Sequence, residues 1–317
     1  MSVTNTFVGK KVLVTGAAGF IGGHVAAALA GHGCHLTMLD RNDAHAKAGV
    51  LGSSRIFWKV TSILAPDFPS WLVEEQFDYV LHFAGNANVA QSVQDPEHDF
   101  DVNVRASVAM LEAIRRSGAP TVLLYASSAA VYGNPSRLPI AEQDATVPIS
   151  PYGVGKLAME RYLAVYCRLY GVRGASVRMF SPFGPRLRKQ IVFDLMQRIA
   201  SRPAALDVSG RPTQTRDFIY IEDVVSAILH VLGRGALDGT TYNIGRGIQT
   251  PISEVVGHLV AAMSPGLRVN YQHEVMPGYP DNWQANIDRV TALGWQPQVS
   301  LAEGILRTVE WYEHEHS

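Results

Sequence analysis

Three side chains of this 317-residue sequence combine into proton-transfer chemistry at a hydroxyl. Tyr152 and Lys156 stand four residues apart in Ser150-Pro151-Tyr152-Gly153-Val154-Gly155-Lys156. That segment opens a helix predicted to run to about Tyr170, and the spacing puts both side chains on one helix face. A phenol titrates near ~10 and is a poor base at neutral pH. A neighbouring ammonium favours the phenolate and lowers that value, so Tyr152 is a candidate proton acceptor from a substrate hydroxyl. Ser128, in the pair Ser127-Ser128 after the apolar run Thr121–Ala126, could hydrogen-bond the same hydroxyl. Alone, a Tyr-x-x-x-Lys pair reads as the surface of an amphipathic helix. Its weight comes from the elements that precede it.

Val12-Leu13-Val14-Thr15 is a short β-branched run suited to a buried parallel strand. It leads into Gly16-Ala17-Ala18-Gly19-Phe20-Ile21-Gly22-Gly23 and an alanine-rich helix to about Ala30. Glycines let the backbone turn sharply and let a pyrophosphate approach its amides, and the helix N-terminus adds positive partial charge. A second strand, roughly His35 to Leu39, ends at Asp40, where a carboxylate would accept hydrogen bonds from an adenosine ribose. Asp40 would repel a 2′-phosphate and so favours NAD. Arg41 follows at once, and a guanidinium there could instead hold that phosphate. A cationic nicotinamide ring near Tyr152 would favour the phenolate further. Asp78–Phe83 reads as a strand running into Ala84-Gly85, and Asn103 to Ser117 reads as a helix closed by Gly118. Alternating strands and helices predict an α/β fold, a Rossmann-type doubly wound parallel sheet whose ligands sit at the strands' carboxyl ends: Gly16, Asp40, Ala84 and Ser127-Ser128.

Composition excludes other classes. Apolar residues make up 47% and charged residues 17%, a core-rich chain and not a disordered or fibrous one. The length predicts about two domains at ~150 residues each. A balance of 27 basic against 28 acidic residues gives a net charge of -1. That argues against nucleic-acid or polybasic membrane partners while leaving room for a local cationic pocket. Two cysteines, Cys34 and Cys167, rule out a disulfide scaffold or a cysteine-rich zinc site and read as small apolar packing residues. The run Glu310 to His316 reads as the end of an amphipathic helix, so no metal is expected. His82 reads as structural, and Trp283 and Tyr279 read equally as core or as lining of a substrate lobe. No apolar run reaches the ~18–20 residues that span a bilayer. Residues Met1 to Lys11 do not read as a signal peptide, and the expected location is the cytoplasm.

Thr15-Gly16-Ala17-Ala18-Gly19-Phe20-Ile21-Gly22, His82-Phe83-Ala84-Gly85, Ser127-Ser128-Ala129-Ala130-Val131-Tyr132-Gly133 and Tyr152-x-x-x-Lys156 together resemble the extended short-chain dehydrogenase/reductase family. The likeness is to its nucleotide-sugar epimerases, dehydratases and reductases, with UDP-sugar 4-epimerases foremost. It continues through Arg178 to Pro185, Arg216 to Asp223, Tyr242-Asn243-Ile244-Gly245 and Leu293-Gly294-Trp295-x-Pro297, and so covers nearly the whole chain. The resemblance implies a catalytic set of Ser128, Tyr152 and Lys156. Gly16, Gly19, Phe20, Ile21, Gly22, Asp40, Arg41, Phe83, Ala84, Gly85, Asn103, Tyr152 and Lys156 would hold NAD. Ser128, Ser181, Arg188 and Arg216 would hold the substrate, with Arg216 on its diphosphate. It implies an NAD-binding domain over residues 1–178 and a smaller α/β substrate lobe over 179–317. Part of about 216–245 would return to the first domain. A homodimer would form through helices near 103–117 and 152–170.

The sequence departs from that pattern in places. Phe57-Trp58-Lys59-Val60-Thr61-Ser62 lacks the family's adenine-contacting Asp, Ala87 replaces a frequent Lys, and Ser181 replaces a frequent Asn. Met276 to Asp281 lacks a second diphosphate-binding Arg, for which Arg186, Arg188 and Lys189 are candidate substitutes. Ala129 and Ala130 stand where relatives that eliminate water or decarboxylate carry acids, so oxidation and reduction at one carbinol remain. The expectation is an NAD-dependent nucleotide-sugar epimerase acting at C4 through a transient keto-sugar. A nucleotide-4-keto-sugar reductase using NAD(P)H is the alternative, and a non-catalytic NAD-binding sensor or scaffold is a third reading.

Overall fold

In β1 (Lys11–Thr15), Val12 and Val14 pack into one buried cluster and Leu13 into another. This strand is therefore covered on both faces, as its unbroken apolar run requires. The computed structural model describes residues 6–42, 55–272 and 281–316. After β1 come α1 (Phe20–Ala30), β2 (His35–Asp40), β3 (Ile56–Val60), α2 (Phe68–Glu75), β4 (Tyr79–His82), α3 (Val89–Gln94) and α4 (Pro96–Phe100). A π-helical turn, Asp101–Arg105, leads into α5 (Ala106–Ser117) and β5 (Val122–Ser128). A 3-10 turn (Ala129–Tyr132), α6 (Pro151–Tyr170) and β6 (Arg173–Met179) follow.

The chain then builds a smaller region from β7 (Ser181–Phe183), α7 (Gln190–Ala200), β8 (Leu206–Val208), β9 (Thr215–Arg216), β10 (Phe218–Tyr220) and α8 (Ile221–Arg234). After β11 (Asp238–Ile244) come β12 (Thr250–Pro251), α9 (Ile252–Met263), β13 (Val269–Tyr271), α10 (Asp288–Thr291) and α11 (Leu301–His316).

Seven strands form one parallel sheet in the order β11-β6-β5-β4-β1-β2-β3. The order reverses between β1 and β4, the point at which a doubly wound sheet opens a crevice at its carboxyl edge. On one face, Val12 and Val14 pack with Val25 and Leu29 of α1 and with Val224 and Ile228 of α8. On the other, Leu13, Val80 and Leu123 pack with Leu72 of α2, Met110 and Leu111 of α5, and Met159 and Leu163 of α6. A third cluster joins Ala129, Val131 and Tyr132 to Phe180, Ala285 and the half-buried Trp283, tying the sheet's edge to the smaller region.

Two elements differ from the sequence expectation. β5 continues to Ser128, so both serines lie on the strand's last residues. The helix expected from Asn103 instead begins at Pro96 and passes through the π-helical turn. Such a turn widens the helix locally, and Asn103 within it is fully buried. Tyr279 and the stretch 276–280 lie outside the described residues. Among the described residues no helix is long and apolar enough to cross a membrane.

Candidate active site

The glycine turn is shaped by contacts that a side chain would forbid. Gly16 has φ +70° and lies against β4's end, where a Cβ would stand 2.6 Å from the Ala84 nitrogen. A Cβ on Gly22 would stand 2.3 Å from the Gly16 carbonyl oxygen. Helix α1 starts at Gly19 with no side-chain cap, so its first N–H groups face the crevice without one. Asp40 accepts hydrogen bonds from the amides of Ala18 (3.1 Å) and Asn42 (3.2 Å), which fixes its carboxylate beside the turn. A cleft of about 500 Å³ opens here. Gly16, Gly19, Phe20, Ile21, Gly22, Asp40, Arg41, Phe83, Ala84, Gly85, Tyr152 and Lys156 all line it. Asn103 stands behind Gly85, where a Cβ would come within 2.5 Å of the Asn103 Oδ1. An uncapped helix N-terminus, glycines pressed to backbone and a carboxylate at the second strand's end together fit a dinucleotide.

At the cleft's far wall, α6 is set by Ser150, whose hydroxyl accepts from the Gly153 amide at 3.2 Å. Buried Ser92 accepts from the Tyr152 amide at 3.2 Å and fixes the same turn. Gly153 lets the helix close on the 3-10 turn, since a Cβ there would meet the Ala130 oxygen at 2.6 Å. Tyr152 is buried, and the Ser128 side chain lies near enough to its phenol to favour the phenolate. Burial nevertheless pushes that phenol up to about 12, against the pull of Ser128, with the Asp99 carboxylate adding to the rise. In the chain alone the phenol therefore stands above its ordinary value and not below it, because a dry site penalises the phenolate more than Ser128 stabilises it.

Lys156 Nζ donates to the Ala126 carbonyl at 2.9 Å and lies over the Tyr125 and Tyr152 rings at 4.9 and 5.7 Å. Burial lowers its ammonium to about 8, with Asp99 and Glu160 opposing the fall. His82 sits between the Thr15 hydroxyl (2.7 Å) and the Ser107 hydroxyl (2.8 Å), and burial drives its imidazole down to about 3. It is a neutral spacer joining β1, β4 and α5.

Sequence reading missed the buried polar support. Glu160, one turn beyond Lys156, accepts from Arg178 Nη2 (2.6 Å) and Nε (2.9 Å), and from the Ser127 hydroxyl. Arg178 also donates to the Tyr132 hydroxyl (2.8 Å), which donates to Asn243 Oδ1 (2.7 Å) on β11. Asp99 accepts from Asn86 (2.8 Å) and Asn103 (2.9 Å). The available signals were a Glu at i+4 from Lys156 and an Arg inside a buried strand, and neither names its partner.

The expected substrate residues are less gathered. Ser181, Arg188 and Arg216 do not line the cleft. Ser181 is half-buried on β7, beside β10. Arg216 donates to the carbonyls of Thr215 (2.8 Å) and Asp281 (3.1 Å) and lies 5.6 Å over the Trp283 ring. Arg188 pairs with Glu315 of α11 and lies 5.8 Å over Trp311. Lys189 does line the cleft, and Arg186 lies so close to α1 that a Cβ on Gly23 would meet its Nη2 at 3.0 Å.

Comparison with known proteins agrees with this geometry. Residues 12–245 match the sequence pattern of the NAD dependent epimerase/dehydratase family. A UDP-glucose 4-epimerase of Mycolicibacterium smegmatis is 32% identical, over 96% of this chain and 99% of its own. Among solved structures, an epimerase of Methanothermobacter thermautotrophicus superposes with TM-score 0.92 at 27% identity, over 100% of this chain and 96% of its own. A UDP-glucuronic acid 4-epimerase of Bacillus cereus, solved with UDP-glucuronic acid and NAD, gives TM-score 0.87 at 28% identity, over 96% of this chain and 99% of its own. A seven-stranded parallel sheet, a glycine turn at its switch point and Tyr152 and Lys156 lining the same cleft, matched along most of the chain, have one conclusion: the chain belongs to the NAD dependent epimerase/dehydratase family.

Proposed function

We propose that this chain is an NAD-dependent nucleotide-sugar epimerase that inverts C4 through a transient keto-sugar. One observation carries the reading. Tyr152 and Lys156 line the same cleft as the glycine turn, with the Ser128 side chain near enough to favour the phenolate, and the two residues after Ser128, Ala129 and Ala130, carry no acid or base for elimination. The relatives solved with NAD and a UDP-sugar support it.

Gly16, Gly19, Phe20, Ile21, Gly22, Asp40, Phe83, Ala84 and Gly85 would hold the dinucleotide, with Asn103 behind them and Lys156 for its ribose. When bound, oxidised NAD would supply a hydride acceptor and positive charge. Tyr152 takes the hydroxyl proton from the sugar and gives it back after the sugar has turned. Ser128 hydrogen-bonds the same oxygen. Lys156 holds positive charge near the phenolate and lowers the cost of forming it. Ser181, Arg188 and Arg216 would bind the nucleotide sugar, Arg216 at its diphosphate. In this reading residues 1–178 form the cofactor domain and 179–317 the substrate lobe, with part of 216–245 rejoining the sheet.

We further propose a homodimer through α5 and α6. On α6, Val154, Tyr162, Val165 and Leu169 are exposed apolar residues at spacings that share one helix face. The proposed location is the cytoplasm, which keeps free thiols such as Cys34 and Cys167 reduced.

The test is ligand analysis of the purified protein followed by a panel of UDP-sugars scored for C4 epimers by NMR. Bound NAD(H) and epimer interconversion are expected; neither cofactor nor interconversion across the panel overturns the reading. A second reading, a nucleotide-4-keto-sugar reductase, uses the same residues and is favoured by Arg41 on the cleft wall beside Asp40. Stoichiometric oxidation of added NADPH or NADH by a keto-sugar would identify it.

A further inference from the structure

Asp99 is a carboxylate with no evident reason to be buried. It lies on a short helix, α4, is 1% exposed, and its side-chain donors are two neutral amides: Asn86 Nδ2 at 2.8 Å and Asn103 Nδ2 at 2.9 Å. A carboxylate taken out of water needs a compensating charge. The two amides do not provide one.

The compensating charge stands across two glycines. Asp99 Oδ2 would be 3.6 Å from a Cβ on Gly155, the residue before Lys156. Asn103, held by Asp99, turns its Oδ1 toward Gly85, at 2.5 Å from where a Cβ would stand, and Lys156 Nζ is 3.9 Å from that same point. Asn103 Oδ1 is itself buried without a partner. Side chains at positions 85 and 155 would separate these groups, so their absence lets acid, amide and ammonium share one small volume.

Other charged and titratable groups around Lys156 are already matched or neutral. From α6, Glu160 is paired in two places with Arg178 of β6. From β4, His82 is neutral. From β5, Tyr125 presents its ring face at 4.9 Å, and burial holds its phenol well above the usual range. Tyr152 is a neutral phenol in the chain alone. On α4 itself, His98 lies within electrostatic reach of Asp99. Among the described residues, Asp99 is thus the carboxylate facing Lys156 that has no guanidinium or ammonium of its own.

We propose that Asp99 is a positioning residue for the reaction, the fixed counter-charge that keeps Lys156 protonated and, through the Asn103 amide, in register with Tyr152. The role rests on the Tyr152–Lys156 reading given above. Its logic is that burial alone would strip the lysine of its proton within the working range. Asp99 opposes that loss, and its field also raises Tyr152. Removing its charge should lower both midpoints together.

Asp99→Asn is the informative variant, because the amide keeps an oxygen acceptor for Asn86 and Asn103 and loses only the charge. The chain has six lysines, so ¹³Cε-lysine NMR can follow each, with Lys156 assigned by its disappearance in Lys156→Met. The expected result is a Lys156 midpoint about one to two pH units lower in Asp99→Asn than in the wild type. Both limbs of the kcat–pH profile should move to lower pH. An unchanged Lys156 midpoint in a folded variant overturns the proposal, as does a kcat that falls with its limbs unmoved. Asp99→Ser, smaller and also uncharged, decides the matter if the Asn variant does not fold. The NMR titration needs no substrate. A wild type that epimerises nothing would overturn the functional reading while the titration still decided the role of Asp99.

Discussion

The Lys156 ammonium donates to the Ala126 carbonyl at 2.9 Å and lies 5.7 Å from the centre of the Tyr152 ring. The lysine is anchored to strand β5, and it acts on the phenol as a charge through space. A charge tied to the sheet stays in place while the phenol changes protonation state.

Tyr152→Phe removes the proton acceptor and leaves the ring. Turnover should fall about 10²–10⁴-fold, the contribution of a positioned acid–base group. Cofactor should still co-purify, since the glycine turn is untouched. Steady-state kinetics and the NAD content of the purified variant check both halves. Retained activity would point to binding without catalysis by this residue.

Gly22→Ala puts a Cβ 2.3 Å from the Gly16 carbonyl oxygen, a backbone atom that cannot rotate away. Cofactor binding should be lost or weakened at least tenfold, about 1.4 kcal/mol by the usual conversion. Isothermal titration with NAD measures it. An affinity equal to the wild type would mean that the turn relaxes freely.

Lys156→Met should separate stability from function. Burial holds the folded-state ammonium at about 8, below its unfolded value of 10.5. Below pH 8 both states are protonated and the folded chain bears the full cost of a buried charge. Between 8 and 10.5 the unfolded chain binds more protons, so wild-type stability rises with pH. A methionine does not titrate. The variant should therefore be inactive, and its stability relative to wild type should be highest below pH 8, although the Asp99 carboxylate left without its counter-charge and the lost hydrogen bond to Ala126 offset the gain. The advantage should shrink as pH climbs from 8 to 10.5. Urea unfolding at several pH values shows whether the two curves converge.

Glu160→Gln leaves the Arg178 guanidinium buried without a matching charge, since both side chains are almost wholly enclosed. Breaking such a pair costs about 3–5 kcal/mol. Chemical denaturation should show this loss, and Arg178→Met in the same background should recover part of it.

Leu169→Asp with Val154→Glu places charges on the outer face of α6. If α6 forms the two-fold interface, sedimentation should show a dimer for the wild type and a monomer for the double variant. Two equal sedimentation coefficients would remove this face from the interface.

The cofactor side of the cleft was legible because its signals are local. The glycine turn, Asp40 at the end of β2 and the four-residue step from Tyr152 to Lys156 each lie within a few residues of the element that presents them. Residues joined across the fold were not legible. Asp99 sits in a polar run, Pro96 to Asp101, that reads as a solvated helix; only the π-helical turn after it rotates Asn103 inward to meet it. Ser92 looks like any surface serine until α6 docks on it. Arg178 belongs to a strand, and the carboxylate that neutralises it lies on the helix before that strand. The partner of an expected substrate arginine was equally hidden, for the Arg188 guanidinium meets Glu315, at the far end of the chain.

Strand β11 pairs with β6 at the margin of the parallel sheet, and the whole of β7 to α8 is synthesised between them. On the ribosome, β6 emerges with one side of its backbone unsatisfied and waits while that intervening chain is made. A bare strand edge is a template for pairing with a neighbouring nascent chain. Fragments that stop soon after Met179, although they contain the glycine turn and all of α6, should therefore be aggregation-prone. The cofactor half matures only after nearly half of the remaining chain has been translated.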